Sequence, residues 1–211
     1  LATAVVVIAP LSALLWRSLT QTTPGATRFT LSGWRAVTSS TTLGAISTST
    51  LFALCAMVIA TVLGLMVALG VAYGSPRFVW LERISVLPLT VSAVTIGLGI
   101  LITYDTAPYD FRSAWIITPL AHSLIALPIV VRIVLPVVRQ IPRGLQSVAS
   151  TLGATPLQTW LTVDRPLMSR AVGASAAIAF AISIGEFGAT SFLTRRSSET
   201  LPVTISRLLS R

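Results

Sequence analysis

Three ionisable side chains fall inside apolar runs of this chain: His122, Arg132 and Glu186. An ionised group in hydrocarbon must find a partner, reach the headgroups or stand in a water-filled cavity. Glu186 lies in SIGEFGATSF, where Gly185 and Gly188 let a neighbour or a substrate approach its carboxylate. Arg132 sits near one end of its run, where it can snorkel to headgroups or pair with another helix. If the two runs are antiparallel helices, His122 lies roughly 12 Å and Glu186 roughly 10 Å below the same membrane face. His122 and Glu186 are therefore candidate residues of a substrate path, bonded to each other or set on one polar cavity. The competing expectation is that each bonds separately, to groups such as those of Thr190 or Ser123.

Much other chemistry is excluded. All 15 cations are Arg and none is Lys. A phosphate-binding P-loop needs its Lys, and Schiff-base chemistry needs one too. The single Cys55 cannot close an internal disulfide, and the single His122 cannot build a His-rich metal site. Neither a Gly-x-Ser-Gly motif nor a pair of intramembrane Asp residues is present to serve proteolysis. The chain is expected not to be an enzyme, and to bind no cofactor or metal of its own.

The elements that must position these groups are membrane helices. Hydrophobic residues make up 54% of the 211 residues and charged ones only 10%, and mean hydropathy is +0.85. A soluble domain carries roughly a quarter charged residues, so lipid is the expected outer solvent. The net charge of +9 is too thinly spread for a nucleic-acid surface and suits anionic headgroups instead.

Apolar runs of about 20 residues span a bilayer as helices. Five are expected, at about 1–16, 43–73, 84–104, 114–137 and 171–193, in one transmembrane domain covering 1–211. The first starts without Met, so the chain is expected to begin within a helix or a longer product. The fourth carries Pro119, Pro128 and Pro136, which bend a helix into either a packing element or a moving gate. The fifth carries Gly173, Ala177, Ala181, Gly185 and Ala189 at steps of four, a stripe suited to close helix packing. The arginines do not orient the chain. Arg77, Arg83, Arg139, Arg143, Arg165 and Arg170 flank one side. Arg17, Arg28, Arg35, Arg112, Arg195, Arg196, Arg207 and Arg211 flank the other, offset by Asp105, Asp110 and Glu199.

Between the fourth and fifth runs lies QIPRGLQSVASTLGATPLQTWLTVDRPLMSR, residues 140–170. It is too long and too periodic for a tether, and reads as a docking surface for another protein. A short helix is expected to end at Gly153 in a left-handed conformation, with Pro156 opening a second. Leu145, Val148, Leu152, Leu157, Trp160 and Leu161 would line the apolar sides of a compact knob.

The segment ASTLGATPLQTWLTVDRPLMSRAV resembles the cytoplasmic loop of permease subunits in binding-protein-dependent ABC importers. That pattern is Glu-Ala-Ala, two residues, Leu-Gly-Ala, then about nine residues to an apolar-x-Leu-Pro. Ser147, Val148 and Ala149 occupy the Glu-Ala-Ala positions. Leu152, Gly153 and Ala154 match Leu-Gly-Ala, and Pro166 matches the closing proline. Ser147 stands for the family's Glu and Arg165 for its Leu. HSLIALPIVVRIVLPVVRQIP and SIGEFGATSFL look similar to type I permeases of the ferric iron and thiamine group.

The resemblance covers about residues 43–211. It implies an all-α type I importer domain of six spans, the sixth beyond Arg211, in an inner membrane. It places the 140–170 loop in the cytoplasm as an ATPase-coupling element, with Ser147, Ala149, Leu152, Gly153, Ala154 and Pro166 as its residues. The implied partners are an ATP-binding cassette subunit, a substrate-binding protein, a second permease copy or half, and lipid, but no nucleic acid. The implied substrate is ferric iron or thiamine. The rival classes are a membrane-anchored assembly protein and an ion-driven secondary transporter. The spacing of the loop favours the importer over both.

Overall fold

The computed structural model describes residues 2–23, 26–104, 115–194 and 198–210. Leu1, Asp105, Asp110, Arg112, Arg195, Arg196 and Arg211 lie outside them. The fold is mostly helical and divides into two compact units, Leu1–Ser47 and Thr48–Arg211.

In the first unit, α1 (Ala2–Leu19) runs into a hairpin of β1 (Thr20–Thr23) and β2 (Ala26–Phe29), followed by α2 (Ser32–Val37). The strands pair antiparallel, Thr20 opposite Phe29 and Thr23 opposite Ala26. The Phe29 ring meets Trp16 edge-on at 5.4 Å. An all-helical expectation omits this hairpin. Its Thr-rich strands follow directly on α1, and TTPGAT carries the Pro-Gly turn signal between them.

The second unit holds the bilayer-scale helices. Helix α3 (Ser40–Tyr73), which begins in the first unit, has 34 residues. At about 1.5 Å per residue it is longer than a hydrocarbon core of roughly 30 Å. Helix α6 spans Ile117–Gln140 and is not interrupted by its prolines. Pro119 falls in the first turn, where a missing N–H costs little, and Pro128 is buried. Three described helices are long and apolar enough to cross a membrane, or four if one sharply bent pair counts as a span. The apolar part of α1, Ile8–Leu19, is shorter.

That bent pair differs from the expected run 84–104. Helix α4 (Val79–Val86) passes through a 3-10 turn at Leu87–Thr90 into α5 (Ala93–Tyr104), with a bend of 97°. Pro88 and the extended backbone of Val91 (φ −112°, ψ 137°) break the helix without lowering its hydropathy.

The expected fifth run, 171–193, is also displaced. After α7 (Arg143–Thr151), α8 (Pro156–Thr159), a π turn at Trp160–Asp164 and α9 (Arg165–Ile184) continue as one helix, Pro156–Ile184. The chain then leaves helix until α10 (Thr190–Leu193), and α11 (Leu201–Leu209) follows. The core forms where α6 lies against α3 and α9. Val130, Val131, Val134 and Val138 are buried there with Ala60, Ala68, Met168 and Ala179. Close approach is built in, since a Cβ on Gly64 would collide with Val130.

The small-residue stripe does not provide this packing. Gly173, Ala177, Ala181 and Gly185 are exposed, and only Ala189 is buried. The face of α9 turned inward carries Met168, Ser175, Ala179 and Ser183.

Candidate functional site

The 140–170 segment folds into a projecting turn. Helix α7 ends in a paired hydrogen-bond motif around Gly153, whose φ is +84°. Ala154 N–H donates to Ala149 C=O at 3.0 Å and Gly153 N–H to Ser150 C=O at 3.0 Å. This Schellman arrangement needs a left-handed residue at its end, which glycine supplies without strain. Thr155 then opens α8 with a capping box. Its Oγ1 accepts from Gln158 N–H at 3.3 Å, while Thr155 N–H donates to Gln158 Oε1 at 2.8 Å. Pro156 follows at the first helical position, where no N–H is required.

The tip is apolar. Leu152 is 82% exposed, and Leu145, Val148, Leu157 and Leu161 are exposed beside it. Ser147 is also exposed and Ala149 half-buried. Trp160 is the exception to the expected knob, because it turns inward against the α6 core. The second short helix is the first turn of the 29-residue helix, so the tip is built directly onto a transmembrane element.

Pro166 explains the π turn. A proline lacks the N–H for its turn and crowds the carbonyl four residues before it. The helix widens just ahead of Pro166, and Arg165 N–H donates to Trp160 C=O. Asp164, at the end of this turn, is 6% exposed. Its Oδ1 accepts from Gln146 Nε2 on α7 at 2.8 Å and from Tyr73 O–H at the end of α3 at 3.3 Å. Nearby, Arg139 and Glu82 form a two-bond ion pair at 3.2 and 2.6 Å between α6 and α4. Arg132 is exposed and lines a cavity of about 270 Å³ with Glu82, Leu135 and Arg139.

His122 and Glu186 meet at the break after α9. His122 Nδ1 lies 2.7 Å from Ser183 Oγ and Nε2 lies 2.7 Å from Thr190 Oγ1. The Thr190 hydroxyl is 3.1 Å from Glu186 C=O and 3.4 Å from Glu186 Oε2. The Glu186 carboxylate also accepts from Ala189 N–H at 3.2 Å. A neutral imidazole protonated on Nε2 satisfies this chain: Ser183 donates to the ring, the ring to Thr190, and Thr190 to Glu186. The two residues thus meet, although Glu186 lies in the break after α9 and not within a helix running to 193. They meet in a closed set of bonds, with the His122 and Glu186 side chains 2% and 8% exposed. Serine and threonine hydroxyls take up the ring, so part of the competing expectation also holds.

The sequence profile described as "Binding-protein-dependent transport system inner membrane component" matches residues 60–209. A Salmonella typhimurium protein named as a 2-aminoethylphosphonate transport system permease, PhnV, is 29% identical over 214 residues, which is 96% of this chain and 77% of the relative. The molybdenum transport system permease protein ModB of Mycobacterium tuberculosis is 30% identical, with 82% of this chain and 70% of the relative aligned. The sulfate transport system permease protein CysT of Escherichia coli is 29% identical, covering 76% and 62%. None of these three names is an iron or thiamine system, and the narrower resemblance gains no support from them.

Proposed function

This chain belongs to the family of binding-protein-dependent transport system inner membrane components, and from that premise we propose that it is the transmembrane subunit of an ATP-driven importer for a small oxyanion. It is a multi-pass membrane protein of a family of permease subunits, which are not themselves enzymes. The chain forms the substrate path together with a second permease copy or half. A separate ATP-binding cassette subunit hydrolyses ATP, and a substrate-binding protein delivers the cargo at the opposite face.

One observation carries the coupling part of this proposal. The Leu152–Gly153 turn holds an apolar tip away from the bundle by a left-handed glycine and two capping motifs, on the end of a helix that continues into the core. A projecting apolar surface on a rigid lever is what a nucleotide-driven partner needs. ATP shifts the permease between states only if the partner fits the tip better in one of them.

The oxyanion assignment rests on the relatives' names. Phosphonate and sulfate groups are tetrahedral oxo-anions, and molybdenum(VI) in aerated neutral water is molybdate, another. Ferric iron and thiamine are cations with no counterpart among those names.

Reconstituting the chain with its ATPase subunit and binding protein in proteoliposomes tests the proposal. Uptake of labelled sulfate, molybdate or 2-aminoethylphosphonate is expected to require ATP and to stop with vanadate. Uptake driven by an ion gradient without ATP would overturn the importer assignment. Uptake of ferric iron or thiamine, with none of the anions, would overturn the substrate class alone.

A further inference from the structure

Asp164 is a buried carboxylate whose described partners are neutral, and they come from two other elements. Gln146 lies on the docking helix α7, and Tyr73 closes α3. Asp164 itself ends the π turn that joins the docking turn to α9. We propose that Asp164 is a positioning residue, the joint through which displacement of α7 is transmitted to α3 and α9.

The chemistry suits a joint. Gln146 Nε2 reaches Asp164 Oδ1 at 2.8 Å, an ordinary hydrogen-bond length, and the Tyr73 hydroxyl is the looser arm at 3.3 Å. Asp164 is 6% exposed whereas Tyr73 is 39% exposed, so the acceptor is shielded from water while the Tyr73 arm stands at the surface, and removing the acceptor leaves the Gln146 amide to be satisfied elsewhere. Because both donors reach the same oxygen, Gln146 cannot be drawn away without pulling on the atom that also holds Tyr73. The π turn supplies the complementary property. Its wider ring leaves the helix locally less regular than the α-helical segments on either side. Without the Asp164 bonds, that turn would absorb a push on the tip instead of passing it on. Pro166 fixes the place of the π turn, and the π turn directs Asp164 inward.

This inference rests on the proposed docking of an ATPase subunit to α7, so its test separates the two. Spin labels are placed at Val62→Cys on α3 and Ala177→Cys on α9, both exposed positions, in a Cys55→Ala background. The permease–ATPase complex is reconstituted in nanodiscs, and the label distance is measured without nucleotide and after trapping with ADP and vanadate. The parent complex is expected to shift its distance on trapping. In Asp164→Ala the ATPase subunit is expected to co-purify while the shift disappears. Asp164→Asn, which retains an acceptor oxygen for both donors, is expected to restore it.

Gln146→Leu breaks one of the bonds without touching the π turn and is expected to reduce the shift. It also keeps the test valid should Asp164→Ala fail to fold. A parent-like shift in Asp164→Ala, or in Gln146→Leu if the alanine variant does not fold, overturns the inference and leaves the docking proposal standing. A parent complex that shows no shift overturns it as well. Failure of the ATPase subunit to co-purify with the parent chain removes the docking proposal, and the joint with it.

Discussion

His122 Nε2 lies 4.0 Å from Glu186 Oε2, with the Thr190 hydroxyl bonded to both residues. The ring thereby fastens α6 to both sides of the break that follows α9. His122→Phe keeps the ring's bulk and removes two hydrogen bonds, leaving the Ser183 and Thr190 hydroxyls to find other partners. We expect a loss of about 2 kcal/mol, read as a lower melting temperature of the purified protein in detergent. An unchanged melting temperature would show that the clasp contributes nothing.

The Glu186 carboxylate is engaged by Ala189 N–H and Thr190. Glu186→Gln retains an acceptor for these donors and should express and fold normally. Glu186→Ala removes it and should cost about 1 kcal/mol, the usual scale for a lost helix cap. If glutamine is as destabilising as alanine in a thermal melt, the negative charge matters and the capping account is wrong.

Gly97 and Gly173 make a contrasting pair. A Cβ at Gly97 would stand 2.6 Å from Ala189 Cα, whereas one at Gly173 meets nothing within 4 Å. Gly97→Ala is expected to cost about 1–3 kcal/mol through overpacking. Gly173→Ala, in an α-helix, should be neutral or slightly stabilising within this chain. Thermal unfolding followed by size-exclusion chromatography distinguishes them, and equal stability of the two variants would contradict the close α5–α10 approach.

The parts of this architecture that were legible from sequence are those set by local backbone chemistry. Leu-Gly-Ala followed by Thr-Pro specifies a left-handed helix end and a proline-led restart whatever lies around it. The proximity of His122 and Glu186 was legible only in part, because the count of helical rise to Glu186 assumes a helix to 193 that breaks after Ile184. Hydropathy concealed the breaks. Pro88 lies in an apolar run whose average does not register a 97° bend. The Gly185–Ala189 break, GEFGA, is short and flanked by apolar sequence, so the average over the whole run stays apolar. Asp164 gives no local signal of a site, because its inward direction depends on the π turn and its partners lie 18 and 91 residues away. Trp160 falls on the docking face by α-helical periodicity, which the same π turn alters.

Gly153 offers the sharpest test of the turn. A side chain at its φ of +84° is strained by roughly 1 kcal/mol, although no atom lies within 4 Å of the added Cβ. Gly153→Asn, a residue that tolerates this conformation, should keep coupling, whereas Gly153→Arg should insert in the membrane normally and lose it. Equal transport by both variants would separate the left-handed turn from coupling.

The central claim is that the tip at Leu152 docks on an ATPase subunit. The most direct measurement places a photo-crosslinking amino acid at Leu152, the most exposed apolar side chain of the turn. The complex is irradiated in native membranes, and the adduct is identified by mass spectrometry. The account predicts a covalent adduct with the ATP-binding cassette subunit, and none from the same probe at Val62, an exposed position within α3. An adduct from Val62 alone, or lipid as the sole product at Leu152, would contradict it.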